Sequence, residues 1–188
     1  MKLIRDIKAY QPYNEQEQRD KEEILRRLES GEPLLGRDNL SAHLTASAWV
    51  TNPDRDRVLM VYHNLYRSWS WMGGHADGEE DLLAVAIREV KEESGVSQVA
   101  PVSEEIYSLE ILTVEGHEKR GEYVPSHLHL NLTYLLEADP DQPIRIKPDE
   151  NSQVGWFGLR EGVEASTEPW FRQRIYSKLN EKLKMKKN

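Results

Sequence analysis

Residues Gly74 to Val96 read GHADGEEDLLAVAIREVKEESGV. This stretch passes from glycine to an apolar helical pattern and then to a knot of carboxylates. Gly73 and Gly74 accept backbone angles that other residues resist, which predicts a sharp turn and a close approach to a ligand. Asp77-Gly78 is a second turn signal. From about Asp81, the residues Leu82, Leu83, Ala86, Ile87 and Val90 recur at three- and four-residue steps and predict one apolar helix stripe. Gly95 stands where helices commonly end. Glu89, Glu92 and Glu93, spaced i, i+3 and i+4, share a face of that helix. Carboxylates so close repel one another and raise one another's pKa. Arg88 and Lys91 lie among them, but no lysine is spaced to neutralise all three. A hard divalent cation is the natural partner: Mg2+ takes oxygen ligands, keeps several waters and bridges to phosphates. The ordinary alternative is a solvated acidic helix face.

Composition narrows the classes. A chain of 188 residues suits one domain with an appended element. Apolar residues make up 38 % and charged residues 31 %, enough of each for a core and a water-facing surface. A net charge of −8 argues against broad binding to a nucleic-acid backbone. No apolar run nears the 18 or so residues of a membrane span. The opening MKLIRDIKAYQPYNEQ lacks the sustained apolar region of a secretory signal. There is no cysteine, hence no disulfide or thiolate chemistry, which suits the cytoplasm.

The flanking segments follow from the same periodicities. Residues 1–36 read as an extension. Asn14 followed by Glu17 is a capping-box signature, and the helix it opens runs to about Ser30, with Gly31 and Pro33 just beyond. Ile24, Leu25 and Leu28 give that helix a modest apolar edge, suited to packing on the main domain, to a dimer contact or to a pocket wall. Residues 43–50 and 57–63 read as a hairpin with a turn at 52–56. Asn64 to Trp71 carries Tyr66, Trp69 and Trp71, either as core packing or as a platform for a flat ring. A strand is expected at 106–114 and a polar loop at 115–125. A second strand is expected at 127–137, where His127, His129 and Asn131 alternate with Leu128, Leu130 and Leu132. A proline- and aspartate-rich connection follows at 138–150, with a short strand at 144–146, and then a strand at 154–159. Glu168 and Pro169 open a last helix carrying Trp170, Phe171, Ile175, Tyr176, Leu179 and Leu183. Its lysine-rich end, 182–187, suits the negative pole of the helix dipole.

The central stretch fits G-x5-E-x7-R-E-U-x-E-E-x-G-U, with U a bulky aliphatic residue, at Gly74, Glu80, Arg88, Glu89, Val90, Glu92, Glu93, Gly95 and Val96. Seven of these positions admit a single residue type, and at usual residue frequencies chance agreement is on the order of 10⁻⁸. The stretch resembles the Nudix box of the Nudix hydrolase superfamily. The resemblance implies an α/β fold, the Nudix-type α/β/α sandwich on a mixed β-sheet. It would span residues 37–188, C-terminal helix included, with 1–36 as an N-terminal helical extension. It further implies that water attacks phosphorus and cleaves a pyrophosphate bond in a nucleoside-diphosphate-linked or related small molecule. Mg2+ would be the cofactor and Mn2+ a substitute. Carried over position by position, Glu89, Glu92 and Glu93 would ligate the metal, with the Gly73 carbonyl as a further oxygen. Gly74, Glu80, Arg88 and Gly95 would support the site, Arg88 by pairing with Glu80. The general base would be a box glutamate, Glu92 or Glu93, or a loop acid, for which Glu150 is the candidate and Asp149 its close competitor. His127, His129 and Trp71 are candidate substrate contacts. His75 stands at a variable box position and carries little information. Met72 departs from the proline that many members have before the glycine pair.

Two other readings belong to the same resemblance. Isomerases of related fold need a catalytic cysteine, which this chain lacks. A non-catalytic, ligand-sensing module is the remaining alternative, although such modules often lose box glutamates. Substrate cues known in subfamilies are missing: no proline occurs at Glu110-Ile-Leu, no tyrosine at Leu112-Thr-Val, and no coenzyme A signature lies upstream. The expected partner is a small diphosphate molecule, not a nucleic acid or a membrane, and a homodimer fits the family.

Overall fold

The computed structural model describes residues 2–119 and 121–185. In chain order the elements begin with α1 (Lys2–Ala9), α2 (Glu15–Glu29), β1 (Ala42–Thr51), β2 (Arg57–His63), β3 (Ser68–Ser70), β4 (Met72–His75) and α3 (Leu82–Ser94). They continue with β5 (Ala100–Pro101), β6 (Ser108–Val114), β7 (His117–Lys119), β8 (Glu122–Val124), β9 (His127–Glu137), β10 (Asn151–Gly158), α4 (Leu159–Ala165), a π-helical stretch (Phe171–Tyr176) and α5 (Ser177–Met185). The class is therefore α/β, with helices near both ends. Two compact units divide the chain. Met1–Ser47, Gly73–Ala86 and Glu104–Tyr134 form the first; Ala48–Met72, Ile87–Ser103 and Leu135–Asn188 form the second.

In the first unit α2 starts where its signature places it, with the Asn14 side chain accepting the Glu17 N–H at 3.0 Å. Helix α1 was not expected: eight residues are too few for a clear period, yet Leu3 and Ile7 are buried. Lys21 ties the two helices together by donating to the carbonyls of Lys8 and Tyr10 at 2.8 and 2.6 Å. Strand β6 pairs antiparallel with β9 from Ser108↔Thr133 to Val114↔His127. The expected polar loop at 115–125 contains a short antiparallel ribbon, β7 with β8.

The glycine pair is a correction. Gly73 and Gly74 do not turn; they lie in the extended strand β4, which pairs with β1. The requirement on Gly73 is steric: a Cβ there would sit 2.5 Å from both the Ala46 carbonyl oxygen and Ser47 Oγ. The turn falls at Asp77-Gly78, both at positive φ.

In the second unit the hairpin of β1 and β2 is organised by Asn52, whose side chain accepts the N–H groups of Asp56 and Arg57 at 3.1 and 2.9 Å. Strand β10 runs antiparallel to β2, with Val154 opposite Val61 and Trp156 opposite Leu59. It begins before the expected 154, and Leu159 opens α4 instead of ending the strand. No strand forms at 144–146. Pro143 and Pro148 bracket that segment without donors, and the Arg145 N–H is taken by the Ser94 carbonyl at 2.8 Å. The last helix is helical from 169, as the Glu168-Pro169 signal predicts. Its π-helical stretch inserts one extra residue, and both Ile175 and Tyr176 are wholly buried there. Trp170, one of the aromatic residues expected in that helix, is exposed. The end of the lysine-rich tail, 186–188, lies outside the described residues. Among the described residues no helix is long and apolar enough to cross a membrane.

Candidate active site

Helix α3 starts at Asp81, whose side chain accepts the Ala84 N–H at 3.2 Å and whose carbonyl accepts the Val85 N–H at 3.1 Å. Its buried positions are Leu82, Val85, Ala86 and Val90, then Glu93 and Ser94. Leu83 and Ile87, expected on the stripe, are half-buried, and Val85 takes the inner position instead. The buried face thus takes in a carboxylate near its end: Glu93 is 3 % exposed. Glu89, one turn earlier, has a side chain 15 % exposed, whereas Glu92 is 48 % exposed.

Ligand-capable oxygens of Glu89, Glu93 and Glu150 lie within 4.8 Å of one another. Glu150 reaches the helix because its backbone is held on both sides. Its N–H donates to the Lys147 carbonyl at 2.8 Å, and its own carbonyl accepts the Asn64 N–H at 2.9 Å. Asp149, its competitor in the sequence, is exposed. Lys147 was missed. Its ammonium lies 3.3 Å from Glu92 and 3.1 Å from Glu150, and its spacing of three from Glu150 was the available signal. Arg88 lies 3.6 Å from Glu89. Burial pushes the Glu89 carboxyl above its ordinary pKa; Glu92 adds to the rise, while Lys147 and Arg88 oppose it. The donor set is all oxygen and close-set, which is the chemistry a hard divalent cation fits.

Gly73, Gly74 and Glu80 belong to the first unit, Glu80 being exposed beyond the Asp77-Gly78 turn. Gly95 follows α3 in the second unit at φ +74, in its expected C′ role. Trp71 is buried, edge-on to Phe171 and Tyr176, so its surroundings are those of a packing residue. His127 and His129 come together in the first unit, and the fold adds two histidines the sequence reading had passed over, His43 from β1 and His75 from β4. The signal for His43 was the polar alternation His43, Thr45, Ser47, which matches His127, His129, Asn131 in β9. Thr45 and Ser47 each donate to the Asn131 side chain at 2.9 Å.

The NUDIX domain model matches residues 41–179. Over 141 residues, 74 % of this chain and 80 % of the relative, the sequence is 29 % identical to a probable DHNTP pyrophosphohydrolase of Lactococcus lactis subsp. cremoris (strain MG1363). Over 116 residues, 61 % of this chain and 72 % of the relative, it is 24 % identical to the asymmetrical bis(5'-nucleosyl)-tetraphosphatase of Rattus norvegicus. Among solved structures, the dihydroneopterin triphosphate pyrophosphohydrolase of E. coli aligns with 72 % of this chain and 92 % of its own, at a TM-score of 0.54 and 16 % identity, a likeness of fold.

Proposed function

This chain belongs to the NUDIX domain family, and from that premise we propose that it is a divalent-metal-dependent pyrophosphohydrolase acting on a small nucleotide-like molecule. The observation that carries the reading is the convergence of Glu89 and Glu93, from an intact box, with the distant Glu150. Glu89, Glu92 and Glu93 would hold Mg2+, or Mn2+ in its place. When bound, the cation neutralises phosphate charge and lowers the pKa of attacking water. Glu150 is the proposed base that takes the proton from that water, with Glu92 and Glu93 as the box alternatives. Arg88 orients Glu89, Lys147 orients Glu150 and Glu92, and Gly95 ends the helix that carries the box acids. The names of the two relatives point to a substrate with a ring system joined to three or more phosphates. The proposal includes a cytoplasmic location, the compartment that holds such a nucleotide pool.

The test is a hydrolysis panel with Mg2+ or Mn2+, comprising dihydroneopterin triphosphate, diadenosine tetraphosphate, (d)NTPs and nucleotide sugars. Turnover of at least one member is expected. Glu93→Gln removes one of the cation's charged ligands. It is expected to cost several kcal/mol of transition-state stabilisation, a fall on the order of 10³-fold, with the far-UV spectrum unchanged. Wild-type rates in that variant would sink the site assignment. Binding of panel members without any turnover would favour a ligand-sensing module.

A further inference from the structure

The chain has six histidines, and four of them gather in one place. Ligand-capable nitrogens of His43, His75, His127 and His129 all lie within 4.8 Å of one another. His43 meets the rings of His127, His75 and His129 at centroid distances of 4.7, 4.8 and 5.1 Å. His129 meets those of His75 and His127 at 4.8 and 5.0 Å. The four come from three strands of the first unit: β1, β4 and β9.

Hydrogen bonding makes this cluster hard to explain as packing. His127 Nδ1 lies 2.8 Å from the Pro125 carbonyl, and His43 Nδ1 lies 3.3 Å from the Asn39 carbonyl. A carbonyl only accepts, so in each neutral ring Nδ1 carries the proton and Nε2 presents a lone pair. His43 Nε2 is buried and has no hydrogen-bond partner among the described residues. His127 Nε2 lies 3.2 Å from His129 Nε2. A buried acceptor without a donor is costly. The nearby Arg37 charge is offset by its two-pronged pairing with Asp77 at 2.6 and 2.5 Å. What the cluster can accept is a cation that takes lone pairs.

We propose that His43, His75, His127 and His129 form a second metal site that takes one transition-metal cation of the Zn2+ class through imidazole nitrogen alone. The donor set selects the cation: imidazole suits Zn, Cu and Ni, whereas Mg and Ca call for oxygen. Carbonyl bonds on Nδ1 are the arrangement that orients metal-ligating histidines. A tetrahedral site with Zn–N of about 2.0–2.1 Å has edges of roughly 3.3 Å. The His127–His129 separation meets that edge, and rotation of the half-buried His75 and His129 rings closes the rest. Four protein ligands fill the tetrahedral shell, so the site is structural: it pins β1, β4 and β9 together.

The test uses the full chain, stripped with a chelator. One equivalent of Co2+ is expected to give the intense visible bands of a tetrahedral centre. One equivalent of Zn2+ is expected to raise the melting temperature by several degrees. Both effects persist in Glu93→Gln and vanish in His43→Ala and His129→Ala. If those histidine variants fail to fold, the imidazole ¹⁵N spectrum of the wild-type chain decides. Zn2+ is expected to move resonances of His43, His75, His127 and His129 and to leave His63 and His117 in place. A weak octahedral Co2+ spectrum, loss of the bands in Glu93→Gln, or Zn2+ shifts confined to one or two of the four rings would overturn the proposal.

Discussion

The side-chain amide of Asn151 donates a 2.9 Å hydrogen bond to the backbone carbonyl of Glu93. That carbonyl is among the last four of α3, which have no partner inside their own helix. The other end of the same side chain accepts the Lys147 N–H at 3.1 Å. One wholly buried asparagine therefore joins the end of the box helix to the turn that carries Glu150. Beside it the Arg145 N–H donates to the Ser94 carbonyl. The convergence of acids far apart in sequence rests on these backbone ties more than on contacts among the carboxylates themselves.

Asn151→Ala breaks both bonds and leaves buried partners unsatisfied, at a cost of about 1–3 kcal/mol each. Displacing Glu150 from Glu93 is expected to lower kcat by roughly 10- to 100-fold, the usual scale for residues that orient metal ligands, with a smaller change in KM. Steady-state kinetics beside a urea titration separates the two effects. A variant that is less stable but keeps its kcat would show that Asn151 serves the fold alone.

Gly95 combines two constraints. Its φ of +74 strains any residue with a Cβ, and a Cβ there would collide with Arg145 Cγ and lie 3.1 Å from the Arg145 backbone nitrogen. That nitrogen is already committed to Ser94, so the loop cannot simply retreat. Gly95→Ala is expected to cost about 1–3 kcal/mol, or a fall of about 2–4 °C in melting temperature per kcal/mol for a chain of this size. Pairing it with Arg145→Ala removes the side-chain clash and leaves the φ strain. If the double variant melts no higher than Gly95→Ala once the effect of Arg145→Ala alone is subtracted, the collision contributes nothing.

Much of this site was legible because helical period and box spacing reinforce each other between Leu82 and Gly95. What spacing could not decide was which side of the acidic face turns inward. Glu89 and Glu93 are drawn under and Glu92 is left out, just as Val85 and not Leu83 completes the apolar stripe. Glu150 and Asp149 are neighbours in sequence, and only a turn held by Asn64 and Asn151 separates their roles. Gly73 and Gly74 read as a turn because glycine usually signals one; the close approach of β1 that explains Gly73 is a tertiary fact. Glu17 shows the same limit. Its capping signature was plain. Its burial, with Tyr10 donating to it and Ser108 Oγ donating at 2.7 Å, depends on a strand about ninety residues away.

Acid should weaken α2 in a defined window. Arg26 and, after it, Arg27 donate to Glu23 at 2.7 Å and hold its carboxyl down at about 2, against 4.5 for the free side chain. A folded-state pKa below the unfolded one means that the unfolded chain binds the proton first. The contribution is therefore present above pH 4.5 and is lost as pH falls toward 2. The Glu23 side chain is 34 % exposed, so the group is worth about 0.2–1 kcal/mol and less in salt. In urea titrations the stability gap between wild type and Glu23→Gln should be open at pH 6 and shut near pH 2. A gap that holds or widens in acid would contradict the ion-pair account.

If the acidic cluster binds a divalent cation as proposed, Lys147 is expected to tune its affinity. Its ammonium lies 3.3 Å from Glu92 and 3.1 Å from Glu150, so it already supplies positive charge to carboxylates of the proposed metal site. Lys147→Gln withdraws that competitor. Without metal, repulsion among Glu89, Glu92, Glu93 and Glu150 goes less compensated, and the melting temperature should fall. With metal, the same carboxylates are freed, and the Mg2+ concentration for half-maximal activity should drop. An ion pair of this exposure is worth up to about 1 kcal/mol, which corresponds to a shift of roughly fivefold. The metal-free melting temperature and the Mg2+ midpoint fall together only if Lys147 and the cation share ligands. A lysine that instead contacts substrate phosphate would raise KM for the substrate and leave the Mg2+ midpoint where it was.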